Sequence, residues 1–88
     1  MKVQLAKRAR RQIHKLPKTI ATRILRKMHW YAAQEDPLSF AKRMTDPRHG
    51  GYRFRIGDYR VFCDVVRGKV QVLYVLSVKH RQSAYDDV

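Results

Sequence analysis

The sequence predicts an α+β fold: an N-terminal strand and a helical hairpin packed on a small antiparallel β-sheet. Three observations predict it. Apolar residues recur at helical spacing through the first third of the chain, the period changes to two after Gly51, and a Gly-Asp pair separates two alternating runs. At 88 residues one domain, residues 1–88, is the only sensible count, and it buries somewhat over ~60% of its unfolded surface. A hydrophobic content of 44% supplies one compact core and argues against global disorder.

Lys2 to Ala6 alternates, with Val3 and Leu5 on one face, and reads as a short strand. From Lys7, Ala9, Ile13 and Leu16 fall at helical spacing among Arg8, Arg10, Arg11 and Lys15, and Pro17 stops that helix. A second helix carries Ile20, Ile24, Met28 and Tyr31 on one stripe, widened by Ala21, Leu25 and Ala32. It fades near Glu35-Asp36-Pro37. Two amphipathic helices joined so closely read as an antiparallel hairpin with one apolar side to bury. Further on, Leu38, Phe40 and Ala41 fit a turn of helix, while Asp46-Pro47 and Gly50-Gly51 are turn signals.

Tyr52, Phe54 and Ile56 then alternate with Arg53 and Arg55. After Gly57-Asp58, Tyr59, Val61, Cys63 and Val65 alternate with Arg60, Phe62 and Asp64. A two-residue Gly-X connection predicts a hairpin whose type II′ turn takes its positive φ from Gly57. Arg67-Gly68 marks a second turn, and Val70 to Val78 is a third strand apolar enough on both faces to be central. The tail from His80 to Val88 is a polar cap.

The formal charge is +13, from 20 Lys+Arg against 7 Asp+Glu. Ten Lys or Arg precede the first acid, Glu35, and ten follow it, so the charge is spread through the domain. Such a density repels itself. Nucleic-acid phosphate resolves the repulsion through counterion release; an acidic protein partner or a plain solvated surface are the other readings. No run approaches the ~18 apolar residues of a membrane span, and no apolar block follows the charged N-terminus as a secretory signal requires. The single cysteine, Cys63, excludes an intrachain disulfide and a Cys-cluster zinc site. A soluble, cytoplasmic protein without membrane partner, metal or cofactor is expected.

The Gly57-Asp58 turn fixes register. Ile56 then faces Tyr59, Arg55 faces Arg60, Phe54 faces Val61 and Arg53 faces Phe62, and such partners share a face. One face carries Tyr52, Phe54, Ile56, Tyr59, Val61 and Cys63 for the helices. The other carries Arg53, Arg55, Arg60 and Phe62, to which a two-residue Arg67-Gly68 loop adds Gln71, Leu73, Val75, Ser77 and Lys79. Directly opposed Arg55 and Arg60 are unfavourable by some fraction of ~1 kcal/mol. An anion between them removes that cost, and Arg holds phosphate in a planar, bidentate manner.

The tail adds Lys79, His80, Arg81 and Tyr85, where a Tyr ring can stack on a base or move a proton and Lys or Arg can stabilise charge on phosphate. His14 and His29 read as ordinary helix residues, His49 as a loop residue, and Cys63 as an inert buried thiol. No Walker loop, GxGxxG, HExxH or Ser-His-Asp arrangement is present.

Val3-Gln4-Leu5, the basic helix ending Lys15-Leu16-Pro17, and Tyr52-Arg53-Phe54-Arg55-Ile56-Gly57-Asp58-Tyr59-Arg60-Val61 closely resemble the RelE-type toxins of the RelE/ParE toxin–antitoxin superfamily. Val78-Lys79-His80-Arg81 with Tyr85 resembles that family's C-terminal segment, although Lys79 stands where the best-known members carry Arg. The resemblance implies the α+β fold above, a ribosome-dependent endoribonuclease (an mRNA interferase cutting in the A site), and a cognate acidic antitoxin as partner. On that basis Arg55, Arg60, Lys79, Arg81 and Tyr85 are the expected catalytic residues, and Arg53, Arg55 and His80 the expected RNA contacts. The expected chemistry is metal-independent attack of the substrate's 2′-hydroxyl on the adjacent phosphate. Two rival readings stand beside it: a ParE-like inhibitor of gyrase on the same scaffold, and a non-enzymatic RNA-binding module.

Overall fold

Two helices and five strands follow one another in the computed structural model, which describes residues 1–46, 48 and 50–82. In chain order they are β1 (Lys2–Leu5), α1 (Lys7–His14), α2 (Lys18–Ala32), β2 (Lys42–Arg43), β3 (Tyr52–Ile56), β4 (Tyr59–Val66) and β5 (Val72–His80). A 3-10 turn, Pro37–Phe40, separates α2 from β2. The strands form one sheet in the order β1-β5-β4-β3-β2.

Pro17 ends the first helical stretch because it has no N–H to continue the ladder; it is the residue from which α2 departs. The predicted stripes are the buried ones. Ala9 and Ile13 of α1, with Ile24, Met28, Tyr31 and Ala32 of α2, cover Phe54, Ile56, Val61, Cys63, Leu73, Val75 and Val78 of the sheet. Phe54, Ile24, Met28 and Leu73 are among the largest fully buried side chains. Each contributes about 1.5–3 kcal/mol of burial. Cys63 lies fully within this core, and burial first, then the neighbouring Asp64 charge, pushes its thiol far above the ordinary range. The thiolate needed for nucleophilic or metal chemistry is thereby suppressed.

The β3–β4 register is the predicted one: Ile56 pairs with Tyr59, Arg55 with Arg60, Phe54 with Val61 and Arg53 with Phe62. Gly57 has φ 56° and no non-glycine residue has a positive φ among the described residues, as a II′ turn requires. Elsewhere the sheet departs from expectation. It is mixed rather than wholly antiparallel, because β1 pairs parallel to β5. Parallel neighbours need a long connection, and the chain from α1 to β4 supplies it. The short strand β2, unforeseen, pairs with the start of β3.

The β4–β5 step differs in two ways. Val66 pairs with Val72, so residues 67–71 form a five-residue connection in place of a two-residue turn, and Gln71 lies outside the strand. Phe62 pairs with Ser77 but Cys63 pairs with Val75, leaving Leu76 as an extra residue, a β-bulge. A one-residue shift exchanges the two faces of a strand. Ser77 and Lys79 therefore share the face of Phe62 and Arg60, as expected, whereas Leu73 and Val75 turn to the helices and are buried.

Candidate nucleic-acid interface

The sheet face turned away from the helices carries the charge. Arg55, Arg60 and Lys79 are paired in one row across β3, β4 and β5. With neighbouring strands ~4.8 Å apart, the outer two backbones of the row stand about 10 Å from each other. The next row contains Lys42, Arg53, Phe62 and Ser77. Lys42 was not foreseen, because a two-residue strand is too short to show a period; its only signal was the basic pair Lys42-Arg43 itself.

Local chemistry explains how the row is held. Arg60 is only 6% exposed, and its Nη1 donates to the carbonyls of Gly57 (3.3 Å) and Tyr59 (3.2 Å). Two of the five guanidinium N–H donors are thus committed to the turn, and the Nε–Nη2 edge is left for an anion. Arg55 is exposed and Arg53 half-buried, and neither forms a salt bridge among the described residues. The nearly buried Arg60 guanidinium attracts a phosphate more strongly than it does in bulk water, and Arg55 stands directly opposite it.

Gly50 and Gly51, which lead into β3, lie close to β4. Gly51 N–H donates to Asp64 Oδ1 at 2.7 Å, and Asp64 shares the face of Phe62 and Arg60. Gly50 has φ +87°, and a Cβ there would stand 2.7 Å from both the Cys63 carbonyl oxygen and Leu76 Cδ1. Only glycine lets the loop lie so close, and it does so at the bulge.

The other expected residues fall differently. Arg81 leaves the sheet: its N–H donates to Asp58 O at 2.6 Å, and its Nη1 lies 3.8 Å from the Asp58 carboxylate. It is held at the hairpin turn that also anchors Arg60. His80 pairs with Tyr59, the rings meeting edge-on with centroids 5.3 Å apart, and its Nδ1 accepts the Gln82 N–H at 3.3 Å. Strand alternation therefore puts His80 on the opposite face from Arg60 and Lys79, beside Tyr59. Tyr85 and His49 lie outside the described residues. Among the described residues no group of His, Cys, Asp and Glu could hold a metal ion, and no helix is long and apolar enough to cross a membrane.

Two helices covering one face of a five-stranded mixed sheet is a fold shared with chains of solved toxin–antitoxin complexes. The chain is similar to one in the toxin–antitoxin complex RelBE2 from Mycobacterium tuberculosis, with 26% identity, a TM-score of 0.71, and coverage of 91% of this chain and 96% of that one. In the RelB–RelE antitoxin–toxin complex from Methanococcus jannaschii, a chain of 24% identity matches in fold, with a TM-score of 0.63 over 94% of this chain and 95% of that one. No curated protein matches the chain. The family model described as the ParE toxin of type II toxin–antitoxin systems matches residues 3–85. The chain belongs to that family, within the RelE/ParE superfamily, and is a toxin of the type II toxin–antitoxin class.

Proposed function

We propose that this toxin is a ribosome-dependent endoribonuclease acting on mRNA in the cytoplasm and held in check by a cognate acidic antitoxin. The observation that carries the reading is the row Arg55–Arg60–Lys79, cations from three strands converging on one face with the central guanidinium anchored by the hairpin turn. Directly opposed Arg55 and Arg60 repel each other, and a phosphodiester between them removes that cost.

In the reaction the 2′-oxygen of one nucleotide bonds to its adjacent phosphorus, and the bond from phosphorus to the 5′-oxygen of the next nucleotide breaks. A proton leaves the 2′-hydroxyl and another is delivered to the departing 5′-oxygen. Exposed Arg55 makes first contact with the phosphate. Arg60 then offers its Nε–Nη2 edge to the pentavalent intermediate, and part of what covers it has to move as the phosphate arrives. Arg53 orients the attacking nucleotide, Lys79 or Arg81 assists the leaving oxygen, and Tyr85 stacks or relays a proton. The ribosome supplies much of the alignment that the weakly basic side chains do not.

Two variants test the proposal. Arg60→Ala and Tyr85→Phe sharply lower mRNA cleavage on ribosomes and relieve growth arrest while the circular dichroism spectrum stays native. Undiminished cleavage by both overturns the reading. The match to the ParE family favours a second reading, a gyrase-directed toxin. Supercoiling by gyrase and mRNA cleavage by ribosomes, measured side by side with the same preparation, separate the two.

A further inference from the structure

A second basic region lies on the other side of the hairpin turn. An open groove of about 870 Å³ runs between α2 and the end of β3, lined by Lys18, Arg23, Arg26, Lys27, Arg55 and Trp30 among others, and no acid lines it. Lys18, Arg26 and Trp30 share one helical row of α2 and Arg23 and Lys27 the row beside it, a length of about 18 Å at 1.5 Å per residue. Trp30 is 46% exposed despite the Lys27 ammonium 4.3 Å from its ring centroid, and it meets Phe40, also 46% exposed, edge-on.

The groove is continuous with the arginine row. Arg55 belongs to both. The guanidinium of Arg23 lies across Gly57, within 3.1–3.3 Å of where a Cβ would stand, and the Gly57 carbonyl is one of the two that anchor Arg60. Two basic surfaces thus meet at a single glycine.

We infer that this groove is a track for single-stranded RNA, its phosphates lying along the α2 cations and one base stacking on Trp30. A row of cations ending in an exposed aromatic ring is the combination that grips single strands without regard to sequence: charge follows the backbone while any base offers a π-face. An acidic peptide satisfies the cations and the indole equally, but it leaves the continuity with the phosphate row unexplained. The inference rests on the toxin being directed at RNA, but not on the sheet face being catalytic.

Trp30 is the only tryptophan of the chain, so its fluorescence reports the groove directly. Adding a short oligouridine, without ribosomes, quenches Trp30, and anisotropy of the labelled oligomer gives affinity across a salt series. The triple variant Arg23→Gln, Arg26→Gln, Lys27→Gln lowers the slope of log affinity against log salt by about 2, at ~0.7 per phosphate contact on a single strand. Trp30→Ala weakens binding roughly ten-fold with the slope unchanged. The charge-matched variant Lys7→Gln, Arg8→Gln, Arg11→Gln on the exposed face of α1 keeps the wild-type slope. Equal losses from both triple variants, or quenching by oligoglutamate and none by oligouridine, overturn the inference. Arg60→Ala separates it from the cleavage reading: with that variant the oligomer still quenches Trp30, whatever happens to cleavage on ribosomes.

Discussion

The two basic regions that meet at Gly57 hold their charge in opposite ways. On the sheet, few cations are fixed: strand pairing sets the row, Arg60 is nearly buried, and two carbonyls hold one of its nitrogens. Along α2 the cations Lys18, Arg23, Arg26 and Lys27 are all exposed, and no hydrogen bond or ion pair among the described residues fixes them as the turn carbonyls fix Arg60. A fixed, desolvated guanidinium stabilises charge that develops at one point in space. Many mobile ones raise affinity by their number and are screened by salt. The contrast assigns geometry to the sheet and grip to the helix.

The largest effect is expected from removing the support behind the fixed row. Phe54→Ala empties a fully buried site between α2 and β3, costing about 3–5 kcal/mol in chemical denaturation, a large share of the stability of a domain this size. Next comes the row itself. Arg60→Ala lowers ribosome-dependent cleavage by about 10²–10³-fold, the cost of one preorganised donor, and Arg60→Lys does not restore it because an ammonium cannot replace the fork. Equal rates for the Lys variant and wild type would show that charge alone suffices and erase the contrast with the helix.

Gly50→Ala destabilises by about 1–2 kcal/mol for the backbone conformation alone, and more once its Cβ meets the Cys63 carbonyl. Urea midpoints measure the loss, and cleavage falls with it as the loop leaves the face. Smaller again, Gln12→Ala removes the side-chain oxygen that accepts the Val78 N–H at 2.7 Å and costs about 1 kcal/mol or more. The buried Cys63 thiol gives a pH dependence. Its proton is held more tightly in the folded state, so once pH rises through the ordinary thiol value of ~8.5 the unfolded chain loses a proton that the folded chain keeps, and stability falls. Cys63→Ala flattens that alkaline limb, and Ellman's reagent reacts with the native protein only on unfolding. At the bottom of the scale, Asp58→Asn leaves the urea midpoint unchanged, since its pairing with Arg81 is long and exposed on both sides.

What the sequence discloses follows the same division. The β3–β4 hairpin was legible to the residue because a two-residue glycine turn leaves one register, and the alternation of Arg53 and Arg55 with Phe54 and Ile56 states which face is which. The helices were legible because Pro17 punctuates two apolar stripes. From Val72 to Val78 nearly every residue is apolar, so no period remained to report the phase of β5, and Leu73 and Val75 were put on the wrong face. The five-residue connection that decides it, in place of a two-residue turn, leaves no mark in composition, and neither does the bulge that returns Ser77 and Lys79 to the expected face. Lys42 was missed because pairing, not periodicity, puts it beside Arg53. The α2 groove was missed for another reason: its cations occupy the side of the helix that any soluble amphipathic helix leaves polar, and only the proximity of Gly57 and Arg55 makes that side a surface with a neighbour.

The supernumerary leucine in β5 allows one strand to belong to two worlds. Before it Leu73 and Val75 turn to the helices; after it Val78 takes that side, and Ser77 and Lys79 share the face of Arg60. Excising Leu76 would force a choice, either drawing Lys79 beneath the helices or turning Leu73 and Val75 out into water. A protein this small has no spare strand to devote to each task, and the irregularity lets architecture and chemistry share one segment of backbone.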